Sequence, residues 1–469
     1  MLHDLLSIRS VRDEPKEGAP FGEGVAAAYA WMMSKAKADG FEVFDADGFG
    51  GHIQWQGLTL DEAGEVIATA DETLGIPVHL DVVPEGDGWS HEPYAGEISD
   101  GKVYGRGTLD NKGPACAIYI AIKALRDSGF VPAKNIRLIL GLDEETGFGG
   151  MVKYLEMAGA PDFSFVPDAD FPAINGEMGI LDFELAKKLE KTKEKGLVLR
   201  SVKGGNASNM VPDFARAILQ DQSGEGYDKV KDQLADFRYR TGYKVYGKGM
   251  GKAFEITAKG VSAHGAHPEK GRNAISVLME FLSEVGVANE SVRDFIEFYR
   301  GRIGFELHGD SLGIGLEDGP SGKLILNAGL IDMNADAGII TIGVRYPVTM
   351  GADAVYDAIA PLIDRYDLGL VKLKHLPPIY FEPDDPFIET LMEVYRNITG
   401  DNDSAPFVSG GGTYARSLPN AVAFGARFPD TPDLMHQKDE CISIDELMLM
   451  AKIYAEAIKK LTSARSFSA

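Results

Sequence analysis

The apolar positions of this chain follow two regimes. In the first third, short apolar runs alternate with longer stretches of helical period. Phe21 to Asp39 reads as a helix closed by Gly40, with Trp31, Met32 and Met33 in its apolar part. Ile76 to Val83 is an apolar run between Gly75 and Pro84, the signature of a buried strand. Gly113-Pro114 opens a helical run to about Ser128, with proline in the first turn, where its missing N–H costs nothing. Asn135 to Leu142 and Phe163 to Val166 are the next predicted strands. Strand and helix in alternation predict a mainly parallel sheet covered by helices.

That pattern returns near the C-terminus. Pro386 to Thr399 reads as a helix stopped by Gly400, and Ala421 to Ala426 as a strand. Ser443 and Glu446 have the spacing of a capping box, followed by one apolar stripe of Leu447, Met450, Ala451, Tyr454, Ile458 and Leu461. The middle differs. Strands such as Ala253 to Lys259 and Ile339 to Arg345 precede helices such as Ala274 to Val285 and Ala354 to Tyr366, with hairpin-like joins. The predicted class is therefore α/β. A mainly parallel sheet domain with helices on both faces, residues 1–178 and 381–469, is interrupted by an inserted α+β domain, residues 179–380.

Composition narrows the field. The 469 residues include 44% hydrophobic and 25% charged positions, enough for more than one core. A formal net charge of −24 opposes binding to nucleic acid or to anionic membranes. No segment has the roughly 20 apolar residues of a membrane helix, and the opening Met1 to Leu6 resembles neither a signal nor a transit peptide. The two cysteines, Cys116 and Cys441, sit beside apolar residues and read as buried free thiols, which fits a reducing cytoplasm.

The chemistry lies at predicted strand ends. His79-Leu80-Asp81 places an imidazole and a carboxylate on one strand face, so that Asp81 can hold one ring nitrogen while the other meets a metal. A structural His–Asp pair explains the same residues. Gly105-Arg106-Gly107-Thr108-Leu109-Asp110 is a tight loop before a helix. Its spacing matches neither common phosphate fingerprint, and Asp110 suits a carboxylate shared by two cations; a helix-entry aspartate is the competing reading. Asp143-Glu144-Glu145 follows a buried strand directly, where three acids are costly unless something positive offsets them. Asp168 and His436 complete the series. Ligands of open parallel sheets bind beyond the C-terminal strand ends, and mixed imidazole and carboxylate ligands suit two divalent ions, zinc first, with manganese or cobalt as alternatives.

Together these motifs resemble the aminoacylase/carnosinase group of dinuclear zinc exopeptidases. Pro167-Asp168-Ala169-Asp170-Phe171-Pro172, Asn175-Gly176-Glu177 and the stretch Gly204 to Pro212 resemble its dipeptidase V branch, the aminoacyl-histidine or carnosinase-like dipeptidases. The resemblance implies one ion on His79, Asp110 and Asp168, and another on Asp110, Glu145 and His436. It implies Asp81 orienting His79, Glu144 as general base and a cis Asp110–Asn111 peptide. In the insertion it implies substrate contacts from Asn209, His264 and Arg345. His264 would face the developing oxyanion, and the Gly411-Gly412-Thr413 backbone would meet the substrate carboxylate. The opening helix is shorter than the resemblance leads one to expect, and His267 follows His264 closely enough to compete for its role.

The expected function is a metallo-dipeptidase acting on small unmodified dipeptides, Xaa-His or β-Ala-His among them. A deacylase or carboxypeptidase of the same group is the alternative, and a non-catalytic metal binder the third. Glu144 argues against the last, because a binder needs no free carboxylate beside its ligands. The large insertion favours a dipeptidase, since a bulky lid can enclose a short substrate; the resemblance implies that in this branch the enlarged lid replaces what a second subunit supplies elsewhere, and hence a monomer.

Overall fold

The computed structural model describes residues 1–61, 63–190, 196–223 and 226–463. Contacts divide the chain into two compact units. The first comprises Met1–Gly176, Ile379–Phe407 and Gly412–Ala469; the second comprises Glu177–Pro378 and Val408–Gly411.

The first unit is built on a sheet whose strands run in the order Glu42–Asp45, Gly51–Trp55, Asn135–Gly141, Thr73–His79, Phe163–Val166, Ala421–Ala423. The four strands from Asn135–Gly141 onward are parallel, whereas Glu42–Asp45 and Gly51–Trp55 join antiparallel. Every residue of Thr73–His79 is buried, as a central strand covered on both faces requires. Alternate side chains of Asn135–Gly141 enter different cores. Ile136, Leu138 and Leu140 pack with the helices Lys112–Asp127, Pro386–Thr399 and Ile444–Leu461, while Ile139 packs with Met151, Tyr154 and Tyr414. The sheet is thus sandwiched, in agreement with the predicted α/β class.

Local chemistry sets the helix ends. Glu23–Ala38 stops before Gly40, whose φ of +81° a side chain would resist. Asp385 caps Pro386–Thr399 by accepting the Phe387 N–H at 2.8 Å. The capping box of Ser443 and Glu446 is formed. The strand predicted to end at Val83 ends at His79; beyond it the chain turns aside, and Val82 instead bridges Val11 in parallel. The opening helix is only Leu2–Leu6. Cys116 and Cys441 are free and buried.

The second unit carries an eight-stranded sheet in the order Lys244–Met250, Ala253–Lys259, Phe214–Asp221, Leu197–Gly204, Ile325–Met333, Ala337–Tyr346, Gly179–Lys188, Gly369–Leu376, and every pair is antiparallel. Burial alternates along Phe214–Asp221 and Ala253–Lys259, so one face meets the core formed with Asp228–Thr241, Ala274–Val285 and Glu290–Arg302. Among the described residues no helix is long and apolar enough to cross a membrane.

Candidate metal centre

His79 is the last residue of its strand and is fully buried. Its register partner is Gly141, where a Cβ would lie 2.4 Å from the Tyr414 ring, so glycine alone lets Tyr414 pack against this strand end. Asp143, Glu144 and Glu145 follow Gly141, and Asp168 follows the neighbouring strand Phe163–Val166. Parallel order thereby gathers these acids beyond the C-terminal strand ends.

The three adjacent acids divide their work. Asp143 accepts the Gly150 N–H through both oxygens, at 2.9 and 3.1 Å, and anchors the entry to helix Gly149–Ala158. Glu144 and Glu145 lie in a short 3-10 turn and give their own N–H groups to Asp81 Oδ1 and Oδ2, each at 3.2 Å. His79 Nδ1 meets the Asp81 main-chain carbonyl at 2.9 Å, while the Asp81 carboxylate stands 3.5 Å from it. The carboxylate expected to orient His79 therefore mainly orders the Glu144–Glu145 turn, and the carbonyl of the same residue holds the ring.

Asp110 stands between two imidazoles. Its Oδ1 lies 2.8 Å from His79 Nε2, and its Oδ2 lies 2.9 Å from His436 Nε2. His436 Nε2 is also 3.1 Å from Glu145 Oε1, and His79 Nε2 is 3.5 Å from Asp168 Oδ1. Ligand atoms of His79, Glu144 and Asp168 lie within 4.8 Å of one another, as do those of His79, Asp110 and Glu145. Glu144, expected only as a base, is thus also within ligand reach of His79 and Asp168. His436, half-exposed on a turn at φ +61°, joins the second set through Asp110 and Glu145.

These residues fit a pair of cations. His79 Nε2 and Asp110 Oδ1 are buried and 2.8 Å apart, yet neither finds a hydrogen-bond partner of acceptable geometry. Five carboxylates (Asp81, Asp110, Glu144, Glu145 and Asp168) share this space with two imidazoles, an excess of buried negative charge that calls for positive ions. On the protein charges alone, burial first and then Asp168 push the Glu144 carboxyl well above its ordinary value, against the pull of His79. Burial and then Asp110 bring Glu145 up to about 7. Burial also opposes ionisation of Asp110, but His436 and His79 outweigh it and hold the group far below the carboxylate range.

Two residues to which the sequence assigned no role shape this centre. Asn111, joined to Asp110 by a cis peptide, donates to Pro167 O at 2.7 Å and to Asp168 Oδ1 at 2.8 Å. Glu440 is fully buried against the Gly105–Asp110 loop and accepts the Leu109 N–H at 2.8 Å. The glycine spacing of the loop was the only local signal, and it does not name the partner.

The second unit brings together the residues expected from the insertion. The Gly265 N–H donates to Asn209 O at 2.7 Å and the Val211 N–H to Ala263 O at 2.9 Å, which sets His264 beside Asn209. Asn327 fastens this segment by donating to Ser208 O and Met210 O, both at 2.8 Å. Arg345 is buried and donates through Nε to Gly410 O at 2.8 Å, next to Gly411, whose N–H meets Ser409 Oγ at 3.0 Å. His267 turns instead to Glu269, at 3.3 Å. Gly412 and Thr413 belong to the first unit, where Thr413 Oγ1 caps the short helix Tyr414–Ser417 through the Ala415 N–H at 3.1 Å.

Comparison with known proteins agrees with this architecture. Residues 75–460 match the model of peptidase family M20/M25/M40. A Bacillus subtilis protein provisionally named dipeptidase YtjP is 36% identical over 463 residues, covering 98% of this chain and 96% of that protein. A Staphylococcus epidermidis protein, also provisionally named a dipeptidase, is 37% identical over 466 residues, with the same coverage of 98% and 96%. In fold, human carnosine dipeptidase 1 superposes with a TM-score of 0.54 at 17% identity, over 98% of this chain and 95% of that one. The M20 family metallo-carboxypeptidase Sso-CP2 of Sulfolobus solfataricus gives 0.53 at 16%, over 98% and 97%. The chain belongs to peptidase family M20/M25/M40. Family and buried ligand cluster together make it a metal-dependent hydrolase.

Proposed function

We propose that this chain is a dipeptidase that hydrolyses the amide bond of free dipeptides, with Xaa-His and β-Ala-His substrates among the candidates. The observation that carries the reading is Asp110, whose two oxygens each face a different imidazole. Relatives at 36% and 37% identity that bear the name dipeptidase support the substrate class.

In this reading His79, Asp110 and Asp168 would hold one ion, and Asp110, Glu145 and His436 the other; zinc is the first choice, manganese and cobalt the alternatives. Bound there, two divalent ions supply Lewis acidity and a water of lowered pKa. Glu144 takes the proton of the attacking water and returns it to the leaving amine nitrogen. Asp81 keeps Glu144 in place through its main chain. His264 donates to the oxygen on which charge develops, where a preorganised donor is worth most. Arg345 and Asn209, with the backbone of Gly411, Gly412 and Thr413, receive the substrate carboxylate and carbonyl, and the second unit serves as the lid.

The test is turnover of a panel of dipeptides, tripeptides and N-acyl amino acids by protein loaded with each metal. Dipeptides should be cleaved fastest. A preference for N-acyl amino acids would replace this reading with that of a deacylase.

A further inference from the structure

The loop Gly105–Asp110 has the form of an anion cradle. Gly107 adopts a φ of +93°, and the main-chain N–H groups of Gly107, Leu109 and Asp110 converge on one point. That point is the carboxylate of Glu440, at 3.1, 2.8 and 3.3 Å respectively. Arg106 Nη1 adds a charged donor at 2.7 Å, and Thr108 Oγ1 lies at 3.4 Å. The Glu440 main-chain oxygen accepts the Gly105 N–H at 2.9 Å, so the loop grips the residue at both ends. Arg106 and Glu440 are 1% and 0% exposed, so the Gly107, Leu109 and Asp110 N–H groups and Arg106 Nη1 depend on this one carboxylate, while the Thr108 hydroxyl donates to Gly105 O at 2.8 Å.

Two ligands of the candidate centre hang on that grip. Asp110 gives its N–H to Glu440 and its carboxylate to both imidazoles. His436 lies four positions before Glu440 on a half-exposed turn. The intervening Asp439 accepts the Ser90 and His91 N–H groups at 2.7 and 3.2 Å, so the segment cannot slide. We propose that Glu440 is a positioning residue: by filling the Gly105–Asp110 cradle it holds Asp110 and His436, 326 residues apart in sequence (436 minus 110), within 2.9 Å of each other as two ligands of one ion. The inference rests on the reading of Asp110 as the ligand shared by both ions.

Glu440→Gln tests it. Both Glu440 oxygens face only donors, so no orientation of an amide satisfies the cradle. Ser443→Ala is the control, since it removes a helix cap three residues away without touching the loop. Zinc stoichiometry and affinity are measured by competition with a chromophoric chelator, and melting by circular dichroism, on both variants and the parent. The expected result is two ions on the parent, two with unchanged affinity on Ser443→Ala despite a lower melting temperature, and at least about tenfold weaker binding of one ion on folded Glu440→Gln, the size typical of residues that orient metal ligands. If Glu440→Gln does not fold, Glu440→Asp, which keeps the charge and withdraws it by one methylene, takes its place. Unchanged zinc affinity in the Glu440 variant, or an equal loss in Ser443→Ala, overturns the inference. Fewer than two ions on the parent overturns instead the reading of Asp110.

Discussion

The main-chain N–H of Glu144 donates to the carboxylate of Asp81 at 3.2 Å, and this bond ties the proposed base to the strand that delivers His79. A side chain two residues beyond His79 thereby fixes the group that would move the proton.

Glu144→Gln keeps the shape of the turn and removes the base. Its kcat should fall by about 10² to 10⁴, while metal analysis still finds the parent's ion content. An active variant would remove Glu144 from the role.

Asp81→Asn leaves one of its two oxygens to receive the N–H groups of Glu144 and Glu145. The expectation is a smaller loss, about 10- to 100-fold in kcat, with KM nearly unchanged, because the defect is in placing the base rather than in holding substrate. A change confined to KM would contradict this.

Arg345→Lys replaces a buried fork that already spends its Nε on Gly410 O. If the guanidinium receives the substrate carboxylate, the loss is about 1.5–3 kcal/mol, roughly 10- to 150-fold in kcat/KM. Dipeptide amides should be insensitive to the change. Equal losses for acids and amides would show that Arg345 acts elsewhere.

Removal of divalent ions by a chelator should abolish turnover and lower the melting temperature, because the crowded carboxylates lose their counter-charge and the ions bind only the folded state. Zinc, manganese or cobalt should restore both. Full activity in the demonstrated absence of metal would sink the proposal for the centre as a whole.

His52 predicts an acid-sensitive stability remote from catalysis. Its ring stacks on Phe44 and bonds to Tyr154 at 2.9 Å, and burial, helped by Arg137, lowers its pKa from 6.5 to about 3. The folded state then binds fewer protons than the unfolded one between those values. Stability is therefore intact above pH 6.5 and lost as pH falls toward 3, at about 1.4 kcal/mol per unit. Urea unfolding of His52→Gln should show a pH slope shallower by that amount between pH 6 and 4.5; identical slopes would refute the assignment.

Much of this was legible in the residues. Phe163–Val166, Ala253–Lys259, Ala274–Val285 and Pro386–Thr399 begin and end where apolar period, proline and glycine place them, since those signals act within a few positions. The acids at strand ends were visible for the same reason. What stayed hidden depends on groups far apart in the chain. Nothing local tells that the carbonyl of Asp81 rather than its carboxylate holds His79, that Asp143 anchors a helix while its two neighbours enter the centre, or that the glycine loop before Asp110 closes on a glutamate 330 residues further on. The antiparallel start of the first sheet escaped too, because Gly51–Trp55 is fixed by its pairing with Asn135–Gly141 rather than by its own pattern.

The strand Ala421–Ala423 lies in parallel against Phe163–Val166, although more than 250 residues separate them. During synthesis, therefore, this flank of Phe163–Val166 stays uncovered until Ala421–Ala423 has left the ribosome, and His436 emerges later still. A chain that has not reached Ala421 carries the proposed base and most of the candidate metal ligands but cannot close the centre around them. Such a peptidase would be silent toward peptides until it is whole, and its uncovered strand edge is where a folding helper, or an aggregating neighbour, would find it first.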